Sequence, residues 1–241
     1  MEWRIGCSGF YYKEWKDIFY PTGLPQKEWF EYYCQHFNTI EINSSFYRQP
    51  SPKSFATWHD TSPDDFLFSI KAPRTITHYN KFKDSSDLID DFYNITKDGL
   101  KDKLGCILFQ LPPSFTFSKD HLDLILSKMR AGFNNVIEPR HKSWWTDEVF
   151  EAFRTNAITF SGISYPSPEI PEDTIQNVDP VYYRFHGKPV LYKSLYPKEQ
   201  IIEFAKSIKP INKKIFVYFN NTWGNSALIN SKQLIGLTQN K

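Results

Sequence analysis

Eight short, β-rich apolar runs alternate along the chain with longer segments of helical periodicity, and this alternation constrains the fold more than any other feature. Strands that alternate with helices are typical of βα units arranged around a parallel sheet. Eight such units can close into a barrel with the helices as an outer ring. The predicted strands are residues 3–7, 39–43, 67–71, 106–110, 135–138, 157–161, 181–185 and 215–220. The sequence therefore predicts an α/β fold, a (β/α)8 barrel of the TIM type.

The length of 241 residues is close to the roughly 250 residues typical of a one-domain barrel, so we expect a single domain over residues 1–241. Ser118 and Thr146 stand where N-caps of two covering helices are expected. The connection after the sixth strand breaks the helical pattern, because residues 165–180 contain four prolines. We expect an irregular surface segment there.

The composition excludes several classes of protein. A formal net charge of +2, from 29 Lys and Arg against 27 Asp and Glu, predicts no strong field for nucleic acid. No segment approaches the ~18 apolar residues of a membrane span, and the first residues do not resemble a secretion signal. Three cysteines cannot form a closed disulfide framework. We therefore expect a cytoplasmic protein with reduced thiols and no membrane partner, and we interpret Cys7 as buried and inert rather than as a nucleophile.

Polar residues follow the predicted strands at their carboxyl ends. Alternate residues of a barrel strand face its interior, so one parity is apolar at first and turns polar towards the end. The second, fifth and seventh strands show this pattern most clearly, with Glu41 and Asn43, Glu138 and Arg140, and Arg184 and His186. Single polar residues also lie at the ends of other strands, namely Ser8, Lys71, Gln110 and Asn220. We expect these side chains to meet at one mouth of the barrel.

Two carboxylates that face each other across the mouth of a barrel commonly act as general acid and general base. We predict Glu41 and Glu138 as this pair, with His186 as an assisting proton carrier. The cations at the mouth predict an anion-binding site, and they are Lys71, Arg140 and Arg184. The alternative interpretation is a buried ion-pair network that only caps the barrel.

Aromatic residues beyond the strand ends are candidates for stacking on a sugar or a base, and we single out Tyr47, Trp144 and Trp223. Packing of loops against the barrel is the alternative for each. Neither GxxxxGK[ST] nor GxGxxG is present, so no nucleotide cofactor is expected. A divalent metal held by Glu41, Glu138 and His186 stays open, although the chain lacks a short ligand motif such as HExxH, and we predict no metal residues.

Seven motifs in the chain resemble one known family. They are IGCSGF (5–10), FNTIEINSSFY (37–47), FSIKAPR (68–74), LFQLPPSF (108–115), EPRHKSW (138–144), YRFHG (183–187) and VYFNNTWG (217–224). In this order they resemble the YecE-like proteins, domain of unknown function 72. The resemblance implies a TIM-type barrel over nearly the whole chain but supplies no reaction. Its last motif adds Asn221 to the candidate ligand-binding residues.

Two functions follow as hypotheses. The first is a hydrolase or lyase that uses the carboxylates on a small anionic or polyhydroxylated substrate at the mouth. The alternative is a non-catalytic barrel, or one that binds nucleic acid through its phosphodiester groups. The near-neutral net charge gives the second hypothesis weak support.

Overall fold

The computed structural model describes residues 1–210 and 214–238, and short strands alternate with helices along them. The strands of this part of the chain are β1 (Glu2–Cys7), β2 (Thr39–Ile42), β3 (Leu67–Lys71), β4 (Leu104–Gln110), β5 (Asn135–Glu138), β6 (Thr159–Phe160), β7 (Gly162–Ser164), β8 (Val181–Phe185) and β9 (Lys214–Phe219). The helices are α1 (Trp29–Cys34), α2 (Pro52–Thr61), α3 (Ser86–Leu100), α4 (Lys119–Lys128), α5 (Asp147–Thr155), α6 (Lys198–Ser207) and α7 (Ser226–Thr238).

The strands form two parallel sheets. One sheet has the order β1-β9-β8-β7, and the other has the order β2-β3-β4-β5-β6. Neighbouring strands run parallel, as in the register of Ile5 with Val217 and of Ile42 with Ile70. The architecture is therefore a mixed α/β fold with parallel sheets. The predicted closed barrel is not confirmed, since the strand pairing gives a four-stranded and a five-stranded sheet.

The two sheets approach each other at two places. At one, β1 and β2 are joined by an isolated parallel bridge between Ser8 and Glu41. At the other, the predicted sixth strand (residues 157–161) contains only β6, which pairs with β5. A further strand, β7, begins after Ser161 and pairs with β8. The sequence pattern missed β7, because glycine has a low strand propensity. Here Gly162 is required by space, since a Cβ at this position would lie 2.6 Å from the Tyr183 ring.

Several local predictions are confirmed. Ser118 caps α4 by accepting a hydrogen bond from the His121 amide at 3.2 Å. Thr146 caps α5 in the same way, accepting from the Val149 amide at 3.3 Å. Residues 165–180, which the structure describes throughout, run without a helix or strand.

Within the described ranges, none of the helices combines the length and the apolar composition that crossing a membrane requires.

Apolar side chains pack in two clusters. The larger one contains strand residues and the buried faces of the helices, for example Ile40, Phe92 and Ile201. The smaller one draws on both sheets and consists of Cys106, Leu108, Val136, Tyr182, Phe216 and Tyr218. Because successive strand residues alternate in direction, the smaller cluster lies on the opposite strand faces from the larger one. Polar side chains follow this smaller cluster along the same strand faces, towards the carboxyl ends of the strands.

The three cysteines are free and buried. Burial raises the pKa of the Cys7 thiol to about 12, and it raises that of Cys34 to about 12 as well. A thiol must be deprotonated to act as a nucleophile. The interpretation of Cys7 as inert therefore agrees with the structure.

Candidate functional site

Six ionisable side chains lie at the carboxyl ends of strands from both sheets, and we call them the mouth cluster: Glu41, Lys71, Glu138, Arg140, Arg184 and His186. Strand parity explains their position. Val136 packs in the smaller apolar cluster, and Glu138 and Arg140 follow it at intervals of two residues. The same interval separates Tyr182, which also packs there, from Arg184. The structure thus brings together residues that parity alone had placed at one mouth.

The Glu41 carboxylate is completely buried, and both of its oxygens accept hydrogen bonds. Oε1 accepts from the Ser8 hydroxyl at 2.6 Å and from Nη2 of Arg184 at 2.6 Å. Oε2 accepts from the Tyr182 hydroxyl at 2.6 Å. Hydrogen bonds to a charged acceptor are the strong kind. Glu41 is therefore arranged as a buried counter-ion of Arg184.

The Glu138 carboxylate is also buried and is held by two guanidinium groups. Oε1 accepts from Nε of Arg140 at 2.7 Å, and Oε2 accepts from Nη1 of Arg184 at 2.8 Å. Burial on its own would raise the pKa of Glu138, but the charges of Arg140 and Arg184 outweigh it and hold the pKa well below its ordinary value. Glu138 is thus an anion at neutral pH, with no proton to give.

Arg184 bridges the two carboxylates from a completely buried position. Burial would lower its pKa, but the charges of Glu138 and Glu41 raise it above the ordinary value. The Nε atom of Arg184 is buried and has no hydrogen-bond partner among the residues that the structure describes. Removal of this guanidinium would leave the buried Glu41 carboxylate without a counter-ion, which is a costly arrangement, whereas Glu138 would keep Arg140.

His186 is neutral and lies between Arg140 and Asn220. Its Nε2 atom is 2.8 Å from Nη2 of Arg140 and 3.4 Å from Oε2 of Glu138. The shorter contact is with a guanidinium N–H, which can only donate, so we assign Nε2 as an acceptor. Burial and the charges of Arg140 and Arg184 lower the pKa of His186 well below its ordinary value. The proton of the neutral ring is then on Nδ1, which lies 2.9 Å from the terminal amide of Asn220. The amide atom in this position is Nδ2 of Asn220, and two donors would then face each other. We therefore exchange the nitrogen and oxygen of this amide, so that Oδ1 accepts from Nδ1.

Lys71 is held differently from the two arginines. Its Nζ atom donates to Oε1 of Gln110 at 2.6 Å and lies 4.0 Å from the centroid of the Phe46 ring. Burial and the charge of Arg184 lower the pKa of Lys71 to about 7, although Glu138 acts in the opposite direction. A substantial share of this amine is therefore uncharged at neutral pH.

Comparisons with known proteins agree with this architecture. The profile of a family described as "Protein of unknown function DUF72" matches residues 4–241. The chain belongs to the DUF72 family. This DUF72 chain is 24% identical to the UPF0759 protein YunF of Bacillus subtilis over 92% of its own length and 90% of the relative. It is 31% identical to the UPF0759 protein YecE of Escherichia coli, over 48% of this chain and 42% of YecE.

The crystal structure of a DUF72 family protein from Thermotoga maritima has the same fold. The two superimpose with a TM-score of 0.90 at 28% sequence identity, covering 99% of this chain and 100% of the other. The predicted resemblance to this family is therefore confirmed. The names of these relatives state no reaction, so the chemistry has to be argued from the site.

The DUF72 site reaches solvent through two of its cations. Arg140 and Lys71 are 8% and 9% exposed, whereas Glu41 and Glu138 are at 0%. The guanidinium of Arg140 lies 4.2 Å from the centroid of the Tyr165 ring, which covers one of its faces. An approaching ligand would meet positive charge first, with the carboxylates beneath it.

Other predicted ligand-binding residues lie outside the mouth cluster. Tyr47 and Trp223 are 70% and 60% exposed, each close to a cation on the surface. Asn43 lies with Ser8 along a cavity of about 160 Å³. The Oδ1 atom of Asn43 is buried and has no hydrogen-bond partner within the described ranges.

Two of the predicted residues are engaged in packing. The Trp144 indole is buried and donates to the Phe115 carbonyl at 2.7 Å. The Asn221 amide donates to the Ser194 carbonyl at 3.0 Å and so anchors a loop. For Trp144 and Asn221 these contacts favour the packing alternative over ligand binding.

Sequence reasoning left two contributors to the DUF72 site without a role. Tyr182 donates to Glu41, and Tyr165 covers Arg140. Strand parity was a usable signal for Tyr182, because it precedes Arg184 by two residues on the same face. Tyr165 lies in a loop, where no periodicity marks the side-chain direction.

The mouth cluster is not arranged as a metal site. Glu41, Glu138 and His186 do come together, but guanidinium groups occupy the space between their polar atoms. In residues 1–210 and 214–238, no group of three or more His, Cys, Asp or Glu side chains is arranged to hold a metal ion.

Proposed function

We propose that this DUF72 protein binds a small anionic ligand at the mouth cluster and acts on it as a hydrolase or lyase. The observation that carries the proposal is the layering of charge, with buried carboxylates below and Arg140 and Lys71 at the opening. Guanidinium and ammonium donors suit a carboxylate or a phosphate group. Gln110 and Asn220 add polar groups at the same rim, which suits hydroxyl groups on the ligand.

The contacts favour positioning roles for the predicted acid and base. All the carboxylate oxygens of Glu41 and Glu138 accept hydrogen bonds from protein groups. His186 likewise uses Nε2 to accept from Arg140. These residues would then hold Arg140 and Arg184 in place for the ligand. Catalytic roles for Glu41, Glu138 and His186 stay predictions.

We infer that the two sheets belong to one closed (β/α)8 barrel forming a single domain over residues 1–241. The bridge between Ser8 and Glu41 supports closure on one side. Ser161 supports it on the other, because its amide donates to the Ile137 carbonyl at 2.9 Å while the next residue begins β7. The Tyr218 hydroxyl, on β9, also lies 2.6 Å from that of Thr39 in the other sheet. The free cysteines favour a reducing compartment, so we propose the cytoplasm.

Thermal unfolding with and without ligand tests the proposed binding. Inorganic phosphate, citrate and glycerol 3-phosphate are the anionic probes, and glycerol is the neutral comparison. A ligand that binds the native state at 100 times its Kd adds about 2.7 kcal/mol to the free energy of unfolding. We expect a saturable increase in Tm with at least one anion and none with glycerol.

The variant Arg140→Gln should abolish this increase. Arg130→Gln is the matched control, because Arg130 precedes β5 and Arg140 follows it. The two guanidinium groups therefore lie at opposite ends of one strand. The proposal is wrong if no anion raises Tm, or if Arg140→Gln responds as the wild type does.

A second candidate function is binding of nucleic acid, and the exposed aromatic residues favour it. The Arg74 guanidinium lies 5.5 Å from the Tyr47 ring, and Lys193 Nζ lies 4.8 Å from the Trp223 ring. Such pairs of ring and cation can stack on bases and contact phosphates. Fluorescence anisotropy with a single-stranded oligonucleotide tests this. Affinity should fall steeply with salt, and undetectable or salt-independent binding would exclude it.

A further inference from the structure

Lys71 differs from the two mouth arginines in its partners. Arg140 and Arg184 each lie within 2.6 Å of a carboxylate oxygen. In the ranges that the structure describes, Lys71 forms no ion pair with a carboxylate, and its Nζ atom donates instead to the neutral amide oxygen of Gln110. A buried amine next to other cations and without a counter-ion is an arrangement that activates lysine as a nucleophile.

The charged groups around Lys71 act in both directions. Arg184 and Arg140 disfavour its protonation, whereas Glu138 and Glu41 favour it. With burial as the largest influence, the balance lowers the pKa of Lys71 to about 7.

His78 is a further titratable group that interacts with this amine. Burial and the charge of Lys71 lower the pKa of His78 to about 4, so this imidazole is neutral and adds no charge at neutral pH. The unprotonated form of Lys71 is therefore available under physiological conditions.

We propose that Lys71 is the nucleophile of this site and forms an imine with a small carbonyl compound that carries a carboxylate or phosphate group. The proposal rests on the proposed function, since Arg140 would hold the acid group of the same molecule. A 2-oxo acid is the simplest ligand of this class. Lys71 ends β3 at the mouth and is 9% exposed, a position from which it can meet such a ligand.

The imine forms in two balanced steps. The lone pair of Nζ attacks the carbonyl carbon, a C–N bond forms, and a proton from the nitrogen ends on the former carbonyl oxygen. A second proton, from solvent, joins that hydroxyl group, the C–O bond breaks, and water leaves while the nitrogen lone pair completes the C=N bond. The product is a cationic iminium with one N–H, and no oxidant or reductant is consumed.

The surroundings of Nζ suit both stages of this step. The amide oxygen of Gln110 accepts one N–H and so orients the lone pair, and it can accept the N–H of the iminium in turn. The face of the Phe46 ring lies 4.0 Å away and stabilises a nearby cation. An iminium draws electrons from a neighbouring C–C or C–H bond, which connects this residue with a lyase-type reaction.

Reductive trapping tests the proposal. Wild-type protein is incubated with pyruvate or glyoxylate and cyanoborohydride, and the adduct is counted by intact mass and located by peptide mapping. Peptide mapping should find Lys71 labelled once, with half-maximal labelling of this residue near pH 7. An exposed lysine has a pKa of about 10.4 and should label mainly at higher pH.

Two variants sharpen the result. Lys71→Arg should show no adduct at position 71, because a guanidinium group does not form an imine under these conditions. Lys142→Arg is the matched control, since the side chain of Lys142 is 61% exposed, and it should label as the wild type does. Peptide mapping of the wild type decides the question even if Lys71→Arg does not fold.

The possible failures are distinguishable. If pyruvate raises Tm through Arg140 but surface lysines label as strongly as Lys71, the imine is wrong and the anion site stands. If no anion raises Tm and no adduct forms on Lys71, both proposals are wrong. Labelling of Lys71 by neutral acetaldehyde as readily as by glyoxylate would overturn the assignment of an anionic substrate.

Discussion

Replacement of Arg184 by methionine provides the sharpest test of the buried charge network. The guanidinium holds Glu41 at 2.6 Å and Glu138 at 2.8 Å, and both side chains are at 0% exposure. Removing one partner of a buried ion pair costs about 3–5 kcal/mol, because the remaining charge is uncompensated. For a chain of this size each kcal/mol lowers Tm by about 2–4 °C. We therefore expect Arg184→Met to lower Tm by roughly 6–20 °C.

Arg154→Met is a matched control for this substitution. Arg154 contacts Glu151 at 2.6 Å, the same separation as between Arg184 and Glu41. The side chain of Arg154 is 59% exposed, whereas that of Arg184 is 1% exposed. Solvent screens the exposed pair, so its loss should change Tm little.

Calorimetric melting at pH 7 of the wild type, both variants and a double variant measures these effects. The double variant combines Arg184→Met with Glu41→Gln. It removes the carboxylate that has lost its counter-ion, and Glu138 keeps Arg140, so the double variant should regain part of the lost stability. Equal losses for Arg184→Met and Arg154→Met, or a double variant less stable than Arg184→Met, would refute the reasoning.

Three further predictions concern other parts of the chain. His186 has a lowered pKa, so the stability that it contributes is complete above the unfolded value of about 6.5 and is lost as the pH falls below it. In urea unfolding, His186→Gln should therefore lose less stability than the wild type between pH 7 and pH 5, and equal losses would contradict this. All three cysteine thiols are buried, so a thiol reagent at pH 8 should label them slowly in the native protein and rapidly in guanidinium. Rapid labelling of the native protein would contradict their burial. A Cβ at Gly6 would clash with the Thr39 carbonyl oxygen. Gly6→Ala should therefore lower the free energy of unfolding, measured in urea, by about 1–3 kcal/mol. An unchanged stability would contradict the close contact of β1 and β2. Gly236→Ala, on an exposed part of α7, should instead stabilise it by up to about 1 kcal/mol.

Local patterns in the sequence were sufficient to predict most elements and the membership of the mouth cluster. The predicted strands 67–71, 135–138 and 181–185 coincide with β3, β5 and β8. Side chains of an extended backbone alternate between two faces, so the sequence alone predicts that Tyr182 and Arg184 lie on the same face of their strand. The prolines of residues 165–180 predicted the irregular segment in the same local way, because proline fixes its own φ angle and has no backbone N–H to donate.

Only the tertiary structure decided how these residues are paired. Glu41 and Arg184 are 143 positions apart, and no pattern in the sequence states that this guanidinium bridges Glu41 and Glu138. The separation of β6 from β7 was likewise decided by the tertiary structure, because β6 pairs with β5 and β7 pairs with β8. Ionisation depends on burial and on the distance between charges in space. For that reason the sequence could place Lys71 at the mouth, but only the folded chain separates it from a carboxylate partner and lowers its pKa.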